Sequence, residues 1–204
     1  MKKNIKWITV IILMVIFFII VYSLNIGTIH KFDDLIYSNI SKVITPGVTS
    51  FAKIITEFGG AIGIILITIL LMIFMKNKRH KKYVLINLII IFIGNQLLKN
   101  IFDRERPNVN RLVEENGYSF PSGHSMVSSA FYGFLIYLIY KYVKNKKIRN
   151  ALIILLSLLI LLIGTSRIYL GVHYASDVVG GFAISIAYLI VFIMVIKEKL
   201  DEDN

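Results

Sequence analysis

The sequence predicts an all-α membrane protein: a six-transmembrane-helix bundle with a short extracytoplasmic amphipathic helix between spans one and two. Two observations carry that expectation. Six apolar runs, at 7–24, 58–75, 83–98, 125–143, 151–165 and 178–196, cover most of the 204 residues, and runs of that size are membrane spans. The charges also sort by side once those runs are laid across a bilayer with the amino terminus inside. Inside segments then hold 15 of the 23 Lys and Arg residues, opposed only by Glu198, Asp201, Glu202 and Asp203. Outside segments hold eight basic and eight acidic residues, so the whole excess of +11 falls on the inner side, as the positive-inside rule requires. A basic balance so distributed reports topology, with some affinity for anionic lipid headgroups, and implies no nucleic-acid partner. The lack of cysteine excludes disulfides and thiolate metal sites. The whole chain, 1–204, reads as a single integral-membrane domain.

Each element has its own local reason. The first run follows Lys2, Lys3 and Lys6 but is long for a signal-peptide core, and Ser23-Leu24-Asn25-Ile26-Gly27 is a poor cleavage site. It reads as a retained anchor. In the outside segment 25–57, Phe32, Leu35, Ile36, Ile40, Val43 and Ile44 recur at helical spacing until Pro46-Gly47 breaks the pattern. That helix lies on the membrane surface or packs on the bundle, and no chemistry is assigned to it. The second run opens with Gly59-Gly60-Ala61-Ile62-Gly63, a small-residue pattern suited to close helix packing. The short loop 76–82 is basic and therefore inside. In the third run, the amides of Asn95-Gln96 are expected to bond to neighbouring helices. The fifth run is short for a span of roughly 20 residues and has to borrow flanking residues.

Three polar stretches interrupt this plan. After the third run come Lys99, Asp103 and Arg106, which share a helix face while the helix lasts; Arg104 and Glu105 read as a salt-bridged helix end. Pro107 pushes Arg106 towards an extended conformation and so stops the helix near it. Before the fourth run, Pro121-Ser122-Gly123-His124 offers Ser122 as an N-cap, and the free N–H groups of the first turn form an anion site. Between the fifth and sixth runs lie Ser166, Arg167, His173 and Asp177. On a helical turn, the i, i+4 spacing of His173 and Asp177 would let the carboxylate hold the imidazole in one tautomer.

The parity of the spans puts all three stretches on one face, the outer one. Together they supply Lys99, Arg106 and Arg167, backbone N–H donors at Ser122–His124, two histidines and a carboxylate. Cations converging with a helix amino terminus call for a tetrahedral oxyanion. The two histidines then suit a nucleophile and an acid for phosphoryl transfer.

The stretches Lys99…Arg106-Pro107, Pro121-Ser122-Gly123-His124 and Ser166-Arg167…His173…Asp177 resemble, without departure in spacing, the three-part signature of the type 2 phosphatidic acid phosphatase superfamily, the integral-membrane lipid phosphate phosphatases. The resemblance implies that His173 is the nucleophile and forms a phosphohistidine, that Asp177 orients it, and that His124 protonates the leaving oxygen and then activates water. It further implies that Lys99, Arg106, Ser122, Gly123 and Arg167 bind the phosphoryl oxygens, with no metal or other cofactor. The implied substrates are lipid phosphates: phosphatidylglycerol phosphate, undecaprenyl diphosphate or phosphatidic acid. Two other readings stand beside it. His124, His173 and Asp177 could form a metal site of a metal-dependent membrane hydrolase, which the surplus of cations opposes. A membrane anion transporter is the second, and matching mid-span polar interruptions in two halves are not seen. The site also resembles that of vanadate-dependent haloperoxidases. The expected location is the cell membrane, multi-pass, with cytoplasmic termini and an extracytoplasmic site.

Overall fold

A computed structural model of the chain describes residues 3–201; Lys2, Glu202 and Asp203 of the charge count lie outside them. Regular structure among the described residues is entirely helical: α1 (Lys3–Asn25), α2 (His30–Ile40), α3 (Pro46–Glu57), α4 (Ala61–Phe74), α5 (Lys78–Phe102), α6 (Gly123–Tyr142), α7 (Lys146–Tyr169) and α8 (Ala175–Asp201). Four of these, α1, α5, α7 and α8, are long and apolar enough to cross a membrane. A fifth crossing arises if α3 and α4, bent by 51° at their junction, are one span. The chain is a multi-pass membrane protein.

Helix α6 runs through the middle, against α5, α7 and α8. It lacks the sustained apolar stretch of α1, α5, α7 and α8, because much of it meets protein rather than lipid. Ser125, Ser128, Ser129, Ala130 and Tyr132 are all buried. Ser129 bonds to Ser185 of α8, and Asn87 Nδ2 of α5 donates to the Ala130 carbonyl at 2.9 Å. Small and hydroxyl-bearing residues of this kind let helices approach closely inside a membrane. The outer helices are inverted in character. Ile11 and Phe18 of α1 and Ile62, Ile69 and Phe74 of α4 are exposed, as side chains solvated by lipid should be.

Several expectations are met and others corrected. The fifth run does borrow its flanks: α7 has 24 residues, starts from an Asn145 N-cap and carries Arg167 in its last turn. The second run is not a continuous helix from residue 58. The chain breaks at Phe58–Gly60, where Phe58 and Gly59 form a turn and Gly60 is the extended N-cap of α4, and α4 has only 14 residues. Pro46 does not end structure but begins it, as the first residue of α3, with Thr45 Oγ1 accepting from the Val48 N–H at 3.4 Å. Proline at N1 loses no helical hydrogen bond and is preset for the helix. Finally, α5 stops at Phe102, and Asp103 caps it in the left-handed region at φ 37°. Arg106 therefore does not share the helix face of Lys99; it reaches inward from extended chain.

Two packing devices fix the end of the bundle where the polar stretches meet. Phe120, fully buried, lies between Phe17 of α1 (5.7 Å between ring centres) and Phe102 of α5 (5.1 Å). A Cβ on Gly180 of α8 would stand 2.7 Å from that ring, so only glycine lets Phe120 seat there and set the start of α6. On the opposite side, Ala52 of α3 packs on Tyr169, Leu170 and Val172, which carries α3 onto the end of α7.

Candidate active site

The turn between α7 and α8 is set by Gly171, whose φ of 72° is a left-handed conformation that a side chain disfavours. After it the chain folds back so that the N–H groups of Val172 and His173 both donate to the Arg167 carbonyl at 3.2 Å. His173 precedes α8 rather than riding on it. The i, i+4 pairing with Asp177 is made instead by the first turn of α8, where the Asp177 carboxylate accepts the Tyr174 N–H at 2.8 Å. An acidic group here is further favoured by the helix dipole.

His173 is almost wholly buried. Its Nδ1 lies 3.3 Å from Asp177 Oδ2 and 3.3 Å from Ser119 Oγ, while Ser119 Oγ donates to the same Asp177 oxygen at 2.5 Å. Its Nε2 lies 3.2 Å from Nη1 of Arg106. Because a guanidinium only donates, Nε2 must be the acceptor there, which assigns the proton to Nδ1, facing the carboxylate. Burial pulls the imidazole down to about 4, against the opposing hydrogen bond and charge of Asp177. The ring is thus neutral at pH 7, with a lone pair on the nitrogen that faces Arg106.

Ser122 is the N-cap of α6: its Oγ accepts from the Ser125 N–H at 3.4 Å, and its own N–H donates to the Asp177 carbonyl at 3.1 Å. The N–H groups of Gly123 and His124 belong to the first turn and have no helical acceptor. Asn95 of α5, as its position suggested, holds this corner by donating to the Pro121 carbonyl at 3.1 Å. The His124 ring faces the break between α3 and α4. Its Nε2 would lie 3.5 Å from a Cβ on Gly60, and its Cδ2 3.4 Å from one on Gly59. The glycines expected to pack helices therefore form the wall against which His124 rests.

A cavity of about 550 Å³ opens from this corner between α4 and α5. Its polar end is lined by Lys99, Glu115, Gly123, His124 and His173, and its remainder by Ile64, Ile65, Leu88, Ile89, Phe92 and Val127. Of the three cations, Lys99 lines the polar end, and Arg106 and Arg167 lie buried beside it. Lys99 Nζ donates to the Tyr118 carbonyl at 2.6 Å. Arg106 is buried and donates to the carbonyls of Asn116, Gly117 and Val172 at 2.8–2.9 Å. Arg167 is buried too, donating to Thr56 Oγ1 of α3 at 2.8 Å and to Glu115. Its Nε has no partner among the described residues.

All eight residues singled out from the sequence meet in this region. Lys99, Gly123, His124 and His173 line the cavity, Arg106 touches His173, and Arg167 reaches it through Glu115; Ser122 and Asp177 lie buried behind. Others were missed. Arg104 Nη1 donates to Asp177 Oδ1 at 2.6 Å and Nη2 to Asp33 Oδ2 at 2.7 Å. Asp33 comes from α2, and Thr56 from α3, in the segment to which no chemistry was assigned. A signal for Arg104 existed. Extended chain alternates sides, and Pro107 enforces extension, so Arg104 and Arg106 point inward while Glu105 is exposed. For Asp33, Ser119 and Glu115 no local pattern marks the partner.

Comparison with known proteins identifies relatives in sequence and in fold. The model of the PAP2 superfamily matches residues 81–201, more than half of the chain. Phosphatidylglycerophosphatase B of Bacillus subtilis (strain 168) is 40% identical over 96 residues, covering 45% of this chain and 46% of that protein. Lipid phosphate phosphatase delta of Arabidopsis thaliana is 29% identical over 123 residues, covering 54% of this chain and 29% of that protein. The chain thus matches less than half the length of either relative. The crystal structure of a transmembrane PAP2-type phosphatidylglycerolphosphate phosphatase from Bacillus subtilis superposes with a TM-score of 0.86 at 25% identity, covering 96% of this chain and 99% of that one. Aquifex aeolicus LpxE has the same fold, with a TM-score of 0.64 at 24% identity, covering 79% and 93% of the two chains.

Proposed function

We propose that this chain, which belongs to the PAP2 superfamily, hydrolyses the terminal phosphate of a membrane lipid through a phosphohistidine on His173. The observation that carries the reading is the placement of His173: its Nδ1 faces Asp177, its Nε2 faces Arg106, and it borders a cavity that is polar at one end and apolar along most of the rest. A phosphorylated headgroup at the polar end and acyl or prenyl chains among Ile65, Ile89 and Phe92 suit that division.

In the first step Nε2 of His173 bonds to phosphorus as the bond from phosphorus to the lipid oxygen breaks. His124 gives its proton to that oxygen, and the lipid alcohol or lipid monophosphate leaves. In the second step His124, now neutral, takes a proton from water as the water oxygen attacks phosphorus. The nitrogen–phosphorus bond breaks, and orthophosphate and the starting imidazole are restored. Lys99, Arg106, Arg167, Ser122 through its hydroxyl and Gly123 through its N–H hold the phosphoryl oxygens, and this positioning and charge supply most of the catalysis. Positive charge that a metal supplies elsewhere comes here from side chains. Both oxygens of Asp177 are occupied by Arg104, Ser119 and the Tyr174 N–H, which weighs against a metal-dependent hydrolase.

The same reading sets the topology. Taking the bent α3–α4 pair as one span and α6 as a buried central span gives six crossings, with termini cytoplasmic and the site and α2 extracytoplasmic. The length of α4 supports a broken span, since 14 residues rise only about 21 Å. Cysteines placed at Asn110 and Asn145 should respond oppositely to an impermeant thiol reagent in intact cells; equal labelling would contradict the topology. The function is tested by phosphate release from pure protein in detergent, with phosphatidylglycerol phosphate, undecaprenyl diphosphate and phosphatidic acid compared side by side. Release from at least one, retained in EDTA, is expected. Release from none would favour an anion transporter, and loss in EDTA restored by Zn²⁺ or Mn²⁺ would favour the metal-dependent hydrolase.

A further inference from the structure

We propose that Asp33 and Arg104 are positioning residues for the reaction, acting on His173 through Asp177. The inference rests on the phosphatase reading above. Its basis is an unbroken line of alternating charge that crosses from α2 to the site. Asp33 Oδ2 accepts from Arg104 Nη2 at 2.7 Å, and Arg104 Nη1 donates to Asp177 Oδ1 at 2.6 Å. The other Asp177 oxygen faces His173. Ser176 closes the junction: its N–H donates to Asp33 Oδ1 and its hydroxyl to Asp33 Oδ2, both at 2.8 Å, and that hydroxyl accepts from Arg104 Nη1 at 2.8 Å. The guanidinium also lies 3.8 Å from the centre of the Tyr174 ring, so it is fixed in plane as well as in charge.

Two physical points make this more than an anchor for α2. First, Asp33 and Asp177 are almost wholly buried, with side-chain exposures of 1% and 0%. Taking two carboxylates and an arginine out of water is costly, and an apolar contact would fasten α2 as well. Second, Arg104 alone would be a poor neighbour for the reaction. A cation bonded to Asp177 offsets the negative charge that steadies the imidazole as it gains a bond to phosphorus. Asp33 cancels that cation while leaving its two-pronged grip in place. Asp177 then presents a fixed oxygen and a nearly full charge to Nδ1. The demand for that charge grows in the transition state, when His173 gives up its lone pair, and not on binding. The pair should therefore act on kcat rather than KM.

The test uses the full chain in detergent with the best substrate of the three lipid phosphates. Asp33→Asn keeps shape and removes the charge; Arg104→Lys keeps the charge but cannot grip both carboxylates at once. Each should lower kcat about 10- to 100-fold, the range for groups one step removed from the reacting atoms. KM and the inhibition constant of orthophosphate should stay within about twofold, because the cationic cradle is untouched. Unchanged kcat in both variants would overturn the proposal. So would a parallel loss of kcat, KM and phosphate inhibition with a lowered Tm, or failure of both variants to accumulate folded, since the pair would then be structural alone. A wild-type protein that released no phosphate would overturn the phosphatase reading and this inference with it. Active wild type with insensitive variants would overturn the inference only.

Discussion

His173 is held on three sides by Asp177, Ser119 and Arg106, whereas His124 leans on Gly59 and Gly60 beside a largely apolar cavity, with no hydrogen-bonded partner among the described residues. The same side chain thus stands in two opposite settings on one site. A nucleophile has to keep one lone pair at one point, so its wall is built of fixed charges. An acid–base group has to exchange its proton with whatever arrives, so its wall leaves the ring nitrogen to the substrate. The difference gives the proposed roles of the two histidines a structural basis that composition could not, since both are histidines at the edge of a span.

The largest effect that would break this comparison comes from His173→Ala. Turnover should fall about ten-thousand-fold or more, with no phosphoenzyme, as when a covalent nucleophile is removed. Phosphate inhibition of any residual activity should survive, because Lys99, Arg106 and Arg167 remain. For His124→Ala the expected loss is about 10²- to 10⁴-fold on a lipid alkoxide leaving group, the usual worth of general acid–base catalysis. It should shrink sharply for phosphoenzyme formation from an aryl phosphate, whose leaving group needs no proton. Equal losses for both substrates would place His124 elsewhere in the mechanism.

A smaller effect sharpens the comparison on the glycine wall. A Cβ on Gly60 would stand 3.5 Å from His124 Nε2 and 3.4 Å from the Glu57 carbonyl, filling the space beside the ring without a severe clash. Gly60→Ala should lower kcat/KM about three- to tenfold on the lipid and less on the aryl phosphate. Orthosteric inhibition by vanadate, a mimic of five-coordinate phosphorus, should be weakened by Lys99 or Arg106 variants and little by Gly60→Ala.

The smallest expected effect is with pH. Burial, opposed by Asp177 and aided by Arg106 and Arg167, holds His173 down near 4, so the ring stays neutral until pH falls through that value. The rate of phosphoenzyme formation from an aryl phosphate should then lose less than about threefold through His173 between pH 7 and 5. An imidazole at its ordinary value would lose more than about tenfold over the same window. A limb near pH 6.5 in this step would mean that the carboxylate-backed wall does not govern the nucleophile.

What the sequence could say about this site follows the reach of its patterns. The residues of the three polar stretches were legible because each is a short motif at a span boundary, and span parity alone brought the stretches to one face. The bend between α3 and α4 was half legible: Thr45-Pro46 carries the mark of a helix start but was read as the end of the amphipathic pattern, and Gly59-Gly60 carries that of a break but was absorbed into the apolar run from residue 58. Asp33 was not legible. It lies 71 residues from Arg104 and 143 from Ser176, and nothing local distinguishes it from the exposed Asp34 beside it. A pairing of that range exists only once α2 has packed on α8. Helix α6 shows the converse: its interrupted apolar pattern reflects packing against α5, α7 and α8, which only the bundle reveals.

The covalent step offers the most direct test of all this. Wild-type protein mixed with a lipid phosphate labelled in its terminal phosphate, quenched within milliseconds in alkali that spares phosphohistidine, can be digested and mapped. Label on the peptide carrying His173, absent in His173→Ala and still formed from an aryl phosphate in His124→Ala, is the expected result. Label on His124, or a phosphoenzyme that persists in His173→Ala, would contradict it.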